Sequence, residues 1–307
     1  MSKNQDKGLH KSVINWYPGH MAKTKKQIKE IINLVDVVVH VIDARIPYSS
    51  FVNDIDSFIF GKPQIIFMSK YDLCDKRETD KWVNYYKNKD YKVVTGNLKI
   101  GNDYLKIVDN VLDIMKSINK KRNENGLLPK KANVLVLGVP NVGKSTLINR
   151  LANRKASEVA NVPGVTKNIK RIKINEKIDL IDTPGILWPK FSNLTIAYNL
   201  ASASIIKETI LPIDELALYI LEFLSKNYTS QYVKMYGKIL FDENKILEIY
   251  ENISKIRKIA LYDESIDYDK INYLIINDVK SGRIKNVTFD RIKDIWYNTW
   301  QFKKGGI

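Results

Sequence analysis

Near the middle of the chain, Gly138-Val139-Pro140-Asn141-Val142-Gly143-Lys144-Ser145 fits the pattern G-x-x-x-x-G-K-[ST]. Each residue type in it suits the binding of a nucleoside triphosphate. Glycines at both ends let the backbone curl so that several N–H groups face phosphate oxygens, at the positive end of whatever helix follows. Lys144 is then placed to reach the β- and γ-phosphates, and the Ser145 hydroxyl to ligate Mg²⁺. Pro140, Asn141, Val142, Gly143 and Thr146 complete the candidate nucleotide contacts of the loop. A glycine-rich turn could match such a pattern by accident. Here, however, the apolar run 134–137 reads as a buried strand before the loop, and 146–151 as a helix after it.

Three further positions fit the same ligand. Asp182, in Asp182-Thr183-Pro184-Gly185, ends a strand, where its carboxylate can hold a Mg²⁺-bound water and the Gly185 N–H can meet the γ-phosphate. Thr166 is either a second hydroxyl ligand for Mg²⁺ or an ordinary turn residue. Asp72, in Ser69-Lys70-Tyr71-Asp72, is either an acceptor for the exocyclic amine and ring N–H of guanine or a helix N-cap. As a base reader it would discriminate strongly, because a buried carboxylate without those donors is costly.

These residues need a frame, and the patterning supplies one. Strands are expected at 37–42, 64–68, 91–95 and 134–137, alternating with helices at 22–35, 53–60, 76–87, 103–119 and 146–151. Residues 120–131 read as a crossover loop, and 169–174 with 178–181 as a hairpin turning at Asn175-Glu176. Such alternation argues an α/β fold with a mostly parallel sheet and helices on both faces. Beyond 194 the strand signal mostly stops, and helical periodicity dominates at 195–207, 213–226, 230–236, 243–259 and 268–281. The expected organisation is therefore a polar arm at 1–13, a nucleotide-binding domain at 14–193 and a smaller helical domain at 194–300.

Composition sets the outer limits. The 307 residues are 44% hydrophobic and 10% aromatic, a globular composition with room for two domains. Lys and Arg number 50 against 34 acids, a net charge of +16, which favours a polyanionic partner; a lysine-rich coding bias is the alternative. A single cysteine, Cys74, excludes an internal disulfide and fits a reducing compartment. With neither an apolar leader nor a long apolar run, the expectation is a cytoplasmic protein that does not bind membrane.

The order of the motifs carries a resemblance. In Ras-like GTPases the phosphate loop comes first and the base-reading motif last, whereas here 69–72 precedes 138–145. With Trp16-Tyr17-Pro18-Gly19-His20-Met21-Ala22-Lys23, Asp43-Ala44-Arg45-Ile46-Pro47 and the run from Asp182 to Phe191, the chain resembles the circularly permuted ribosome-biogenesis GTPases of the YlqF type over residues 14–290. The resemblance implies a permuted Ras-like GTPase domain, hydrolysis of GTP to GDP, and assistance to late maturation of the large ribosomal subunit. It further implies contact with the precursor's rRNA and ribosomal proteins, and stimulation by the subunit of a chain acting as a monomer. A nucleotide-gated RNA scaffold and a mitochondrial counterpart are the alternatives. Asn141 resembles the asparagine of K⁺-activated GTPases, or is a simple turn residue. Ile186 stands where many GTPases have a water-orienting Gln, and the family assigns that work to the residue matching His20; a capping or RNA-contacting histidine is the other reading. Two departures stand out. Ser69 occupies the place of the usual Asn in the base-reading motif, and the second base motif is reduced to Thr95-Gly96-Asn97. Lysines and arginines throughout 207–293, interspersed with aromatics, form either an RNA-binding face or a solvated one with the aromatics in the core.

Overall fold

The computed structural model describes residues 19–52, 56–152, 159–161, 170–185, 194–259 and 265–294. Seven strands form one sheet in the order β3-β2-β1-β4-β7-β6-β5: β1 Val37–Asp43, β2 Gln64–Ser69, β3 Lys92–Thr95, β4 Ala132–Leu137, β5 Val159–Asn161, β6 Lys170–Lys173 and β7 Ile178–Asp182. β1, β2, β3, β4 and β7 are mutually parallel, and β5 and β6 run antiparallel at one edge. Every residue of β1 is buried, so its Val-rich run has no polar face, as helices on both sides of a parallel sheet require. From β1 the chain winds outward to β2 and β3, then returns to place β4 on the other side of β1. The order therefore reverses between β1 and β4, and ligands of such sheets bind at the carboxyl ends beside that reversal.

Helices α1 Gly19–Ile31, α2 Asp56–Ile59, α3 Lys76–Lys87, α4 Leu105–Glu124 and α5 Lys144–Leu151 connect the strands, and α6 Leu194–Ser202, α7 Ile213–Asn227, α8 Thr229–Tyr236, α9 Ile246–Arg257 and α10 Tyr268–Lys280 form the helical C-terminal part. Several helix limits differ from the expectation, α1 among them, which begins at Gly19 and gives way to a 3₁₀ turn at Ile32–Leu34 rather than running over 22–35. α4 continues five residues past 119, because the polar run 120–124 is a good helix former and the chain leaves the helix only at Gly126, at φ +72°. The helix expected over 195–207 stops at Ser202, where the chain is drawn sideways by contacts described below. The stretch 243–259 splits into a 3₁₀ turn and α9, with Asp242 capping the turn. β5 had no counterpart in the sequence reading.

Residues 284–292 leave the helical part and return to the sheet. Asp290 is buried among four donors: the Tyr48 N–H at 2.8 Å, the Ser49 N–H at 2.7 Å, the Ser49 hydroxyl at 2.6 Å and the Asn199 amide at 2.8 Å. The Trp82 indole N–H donates to the Asp290 carbonyl at 3.0 Å, and the Phe289 N–H to the Arg45 carbonyl at 2.7 Å. Burial raises the Asp290 carboxyl to about 6, and these donors oppose the rise. Tyr232, Tyr236 and Tyr250 of the helical part are core residues, so those aromatics are not surface stacking platforms.

Candidate nucleotide-binding site

The carboxyl ends of β1, β2, β4 and β7 meet at two adjoining clefts. The first, about 540 Å³, is lined by the phosphate loop with Lys144, Ser145 and Thr146, and by Asp182 and Gly185. Gly138 is required there because a Cβ would stand 2.7 Å from the Val41 carbonyl oxygen. Gly143 enters α5 at φ +99°, a conformation open to glycine at little cost. Lys144 is buried and pairs with Asp182, so the ammonium that would meet phosphate is already held against the carboxylate of the neighbouring strand. Gly185 lies against Pro140, which joins the two phosphate-side motifs directly.

The donor set fits a magnesium ion. The Ser145 hydroxyl and the Asp182 carboxylate are hard oxygen ligands lining one cleft. Among the described residues no group of three or more His, Cys, Asp or Glu could hold a metal. A cation here therefore takes most of its shell from substrate and water, which is the habit of Mg²⁺ rather than of Ca²⁺ or Zn²⁺.

The second cleft, about 300 Å³, shares Gly143 and Thr146 with the first and continues to Ser69, Lys70, Asp72 and Asn97. Asp72 is exposed to this cleft and does not cap a helix: the cap of α3 is Asp75, which accepts from the Arg77 and Glu78 N–H groups at 3.0 and 3.4 Å. The Asp72 carboxylate makes no hydrogen bond or ion pair among the described residues. Thr95 ends β3 and Gly96 follows it, with the Gly96 N–H on the Met68 carbonyl at 3.0 Å and the Tyr71 N–H on the Gly96 carbonyl at 3.4 Å. The Asn97 amide oxygen accepts from the Lys99 N–H at 2.7 Å and so shapes the loop at the cleft's rim.

Ser69 reaches the phosphate loop in spite of its short side chain. Its hydroxyl oxygen is 2.5 Å from the Val142 carbonyl and 2.9 Å from the Ile42 carbonyl. The Lys70 ammonium adds a second link, donating to the Asn141 carbonyl at 3.0 Å.

Beside the second cleft, which Arg45 lines, stands a pair from the Asp43-Ala44-Arg45-Ile46-Pro47 motif. Asp43 closes β1 and is fully buried; Arg45 donates to both of its oxygens, from Nε at 3.0 Å and Nη2 at 2.8 Å, and Lys70 pairs with it at 2.8 Å. Burial pushes the Asp43 carboxyl up, yet the two cations and their hydrogen bonds hold it well below the usual carboxylate range. Asp43 is thus a permanent anion that fixes the aliphatic stem of Lys70 beside the base cleft. Thr166 and the segment 186–191 lie outside the described residues, as does the arm at 1–13. His20 falls in α1 by its backbone, and its side chain is outside the description.

Similarity to known proteins follows the same geometry. A family model described as 50S ribosome-binding GTPase matches residues 133–254, beginning at β4 and its phosphate loop. The candidate base-side motifs within 69–97 precede that match, the order of a permuted chain. Ribosome biogenesis GTPase A of Priestia megaterium is 37% identical over 90% of this chain and 96% of its own, and that of Bacillus cereus is 36% identical over 91% and 94%. A solved structure titled as GDP-bound TM YlqF superposes with a TM-score of 0.62 at 25% identity, covering 87% of this chain and 99% of that one. With base-side and phosphate-side motifs on one edge of one sheet, in an order opposite to that of ordinary Ras-like proteins, the chain belongs to the ribosome biogenesis GTPase A family of circularly permuted GTP hydrolases.

Proposed function

We propose that the chain is an assembly factor for the large ribosomal subunit, which binds a late precursor in its GTP state and leaves after hydrolysis. The observation that carries this reading is the joining of the nucleotide clefts to the helical part. The Arg45 guanidinium donates to the Ala203 carbonyl at 2.8 Å, and the Asn141 amide lies 3.3 Å from the Ile205 carbonyl. A change at the phosphate loop is therefore felt at the helices that would contact RNA.

In this reading Asp72 accepts from guanine, with Ser69, Lys70 and the 95–97 loop shaping its pocket. Pro140 to Thr146 enclose the phosphates, and Lys144 exchanges Asp182 for the β- and γ-phosphates. Ser145, Thr166 and Asp182 would hold Mg²⁺, which supplies charge neutralisation at the phosphates. Asn141 keeps its amide nitrogen on the helical part and has its Oδ1 for a potassium ion, whose charge would act alongside Lys144. His20, carried at the start of α1, would orient or deprotonate the attacking water.

Residues 194–300 are the proposed rRNA-binding domain. Several of its cations are committed elsewhere: Arg257 and Arg283 to Asp278, Lys280 to Glu208, and Arg291 to Glu78. Lys234, Lys238, Lys255, Lys258 and Lys285 make no ion pair among the described residues and are the candidates for phosphate contact. Co-sedimentation with purified large subunits tests the proposal. Binding with a non-hydrolysable GTP analogue and release with GDP is the expected result, and equal binding in both states contradicts it.

A further inference from the structure

The base cleft is not walled by the sheet alone. Ala203 and Ser204, from the turn after α6, and Lys280, the last residue of α10, line it together with Asp72. The turn is fixed from both sides, by Arg45 on the Ala203 carbonyl and by Asn141 near the Ser204 and Ile205 carbonyls at 3.5 and 3.3 Å. Ser204 adopts φ +61°, a conformation that serine leaves unless its surroundings hold it there. The Lys280 ammonium is oriented by Glu208 at 2.7 Å, and the side chain is 22% exposed.

We infer that Lys280, presented by the helical part, is a nucleoside-binding residue that completes the base cleft together with Asp72. The inference rests on the reading of this cleft as the guanine half of the site. An ammonium carries three donors, and Glu208 takes one. Two remain, on a residue that lines a cleft whose expected occupant offers acceptors on its ribose hydroxyls and on the carbonyl and ring nitrogen of guanine. Asp72 takes the donor edge of the base, so a cation lining the same cleft complements the acceptors. Nucleotide affinity and the seating of α10 are then coupled through one side chain, and a phosphate ligand without a nucleoside does not engage it.

The test compares GDP with inorganic tripolyphosphate, a probe of the phosphate cleft alone, by calorimetry on the full chain. Lys280→Ala should weaken GDP about tenfold, the effect of one charged hydrogen bond, and leave tripolyphosphate unchanged. Lys280→Arg should stay within about threefold of wild type. Glu208→Gln removes the ion pair but keeps the ammonium, and should retain GDP affinity. GDP binding unaltered by Lys280→Ala overturns the inference. So does an equal loss for GDP and tripolyphosphate, or a Glu208→Gln loss that matches Lys280→Ala, since each marks a merely structural ion pair. Failure of wild type to bind GDP while it binds tripolyphosphate would instead overturn the guanine reading beneath it.

Discussion

The Ser69 hydroxyl oxygen lies 2.5 Å from the carbonyl oxygen of Val142, so the end of β2 is tied to the phosphate loop after β4 across the end of β1. An asparagine in that place would span the gap with an amide. Here the loop sits close enough for a hydroxyl, and Ser69 is buried, which makes the contact costly to lose. Ser69→Ala leaves the Ile42 and Val142 carbonyls without this donor and should cost about 1–3 kcal/mol of folding stability. It should also lower GTP affinity, because the loop's C-terminal half is less well held. Ser69→Thr should restore both in urea unfolding and nucleotide titration; an alanine variant indistinguishable from wild type would remove the brace from the account.

Asp72 should decide the base. Replacing it with Asn puts a donor where the guanine amine and ring N–H also donate, while xanthine offers an oxygen at that position. Asp72→Asn should shift the ratio of GTP to XTP affinity by about a hundredfold or more toward XTP. Competition with a fluorescent nucleotide measures this, and an unchanged ratio would mean that the base is read elsewhere.

How much of this was legible before the structure depends on the range of the interactions. The phosphate loop, the strand ends carrying Asp72 and Asp182, and the 170–182 hairpin are local patterns, and the fold places them as their spacing implied. The permuted order could be read directly from 69–72 preceding 138–145. The end of α6 could not. Residues 203–207 continue a helical periodicity, but the helix closes on Ser204 at φ +61° with the Ile205 N–H on the Leu200 carbonyl at 2.8 Å, a turn also held by Arg45 and Asn141, which lie far away in the chain. Lys280 gave no signal either, since one lysine among many on a helix looks solvated until the fold brings it to the cleft. The Asp43–Arg45 pair was visible as part of a motif that carries the resemblance, but its burial and its hold on Lys70 were not.

His40 and Asp290 are both buried and should shape the pH dependence of stability in opposite senses. Burial lowers His40 from 6.5 to about 4, against a hydrogen bond to Gln64. Unfolded His40 therefore holds a proton that the folded ring lacks, and its contribution to stability falls as pH drops through that window. Burial raises Asp290 from 3.8 to about 6, so the folded chain holds a proton that the unfolded chain has lost, and stability falls as pH rises through that window. The two slopes offset one another in wild type. Between roughly pH 4.5 and 6, the melting temperature of His40→Gln should fall with rising pH and that of Asp290→Asn should rise. Parallel profiles would contradict both assignments.

The proposed catalytic role of His20 separates chemistry from binding. His20→Ala should lower subunit-stimulated turnover about a hundredfold or more and leave GTP affinity within about twofold. If Asn141 holds a potassium ion, the rate in KCl should also exceed that in NaCl, and Asn141→Ala should erase the difference. Normal turnover of the His20 variant would assign water activation to another group.

The most direct measurement is the rate of GTP hydrolysis in Mg²⁺ and KCl with and without purified large ribosomal subunits. The account predicts a slow basal rate raised at least about tenfold by the subunits, as expected when a partner completes the catalytic arrangement. An unchanged rate, with GTP bound normally, would contradict it and leave a nucleotide-gated RNA scaffold as the better description.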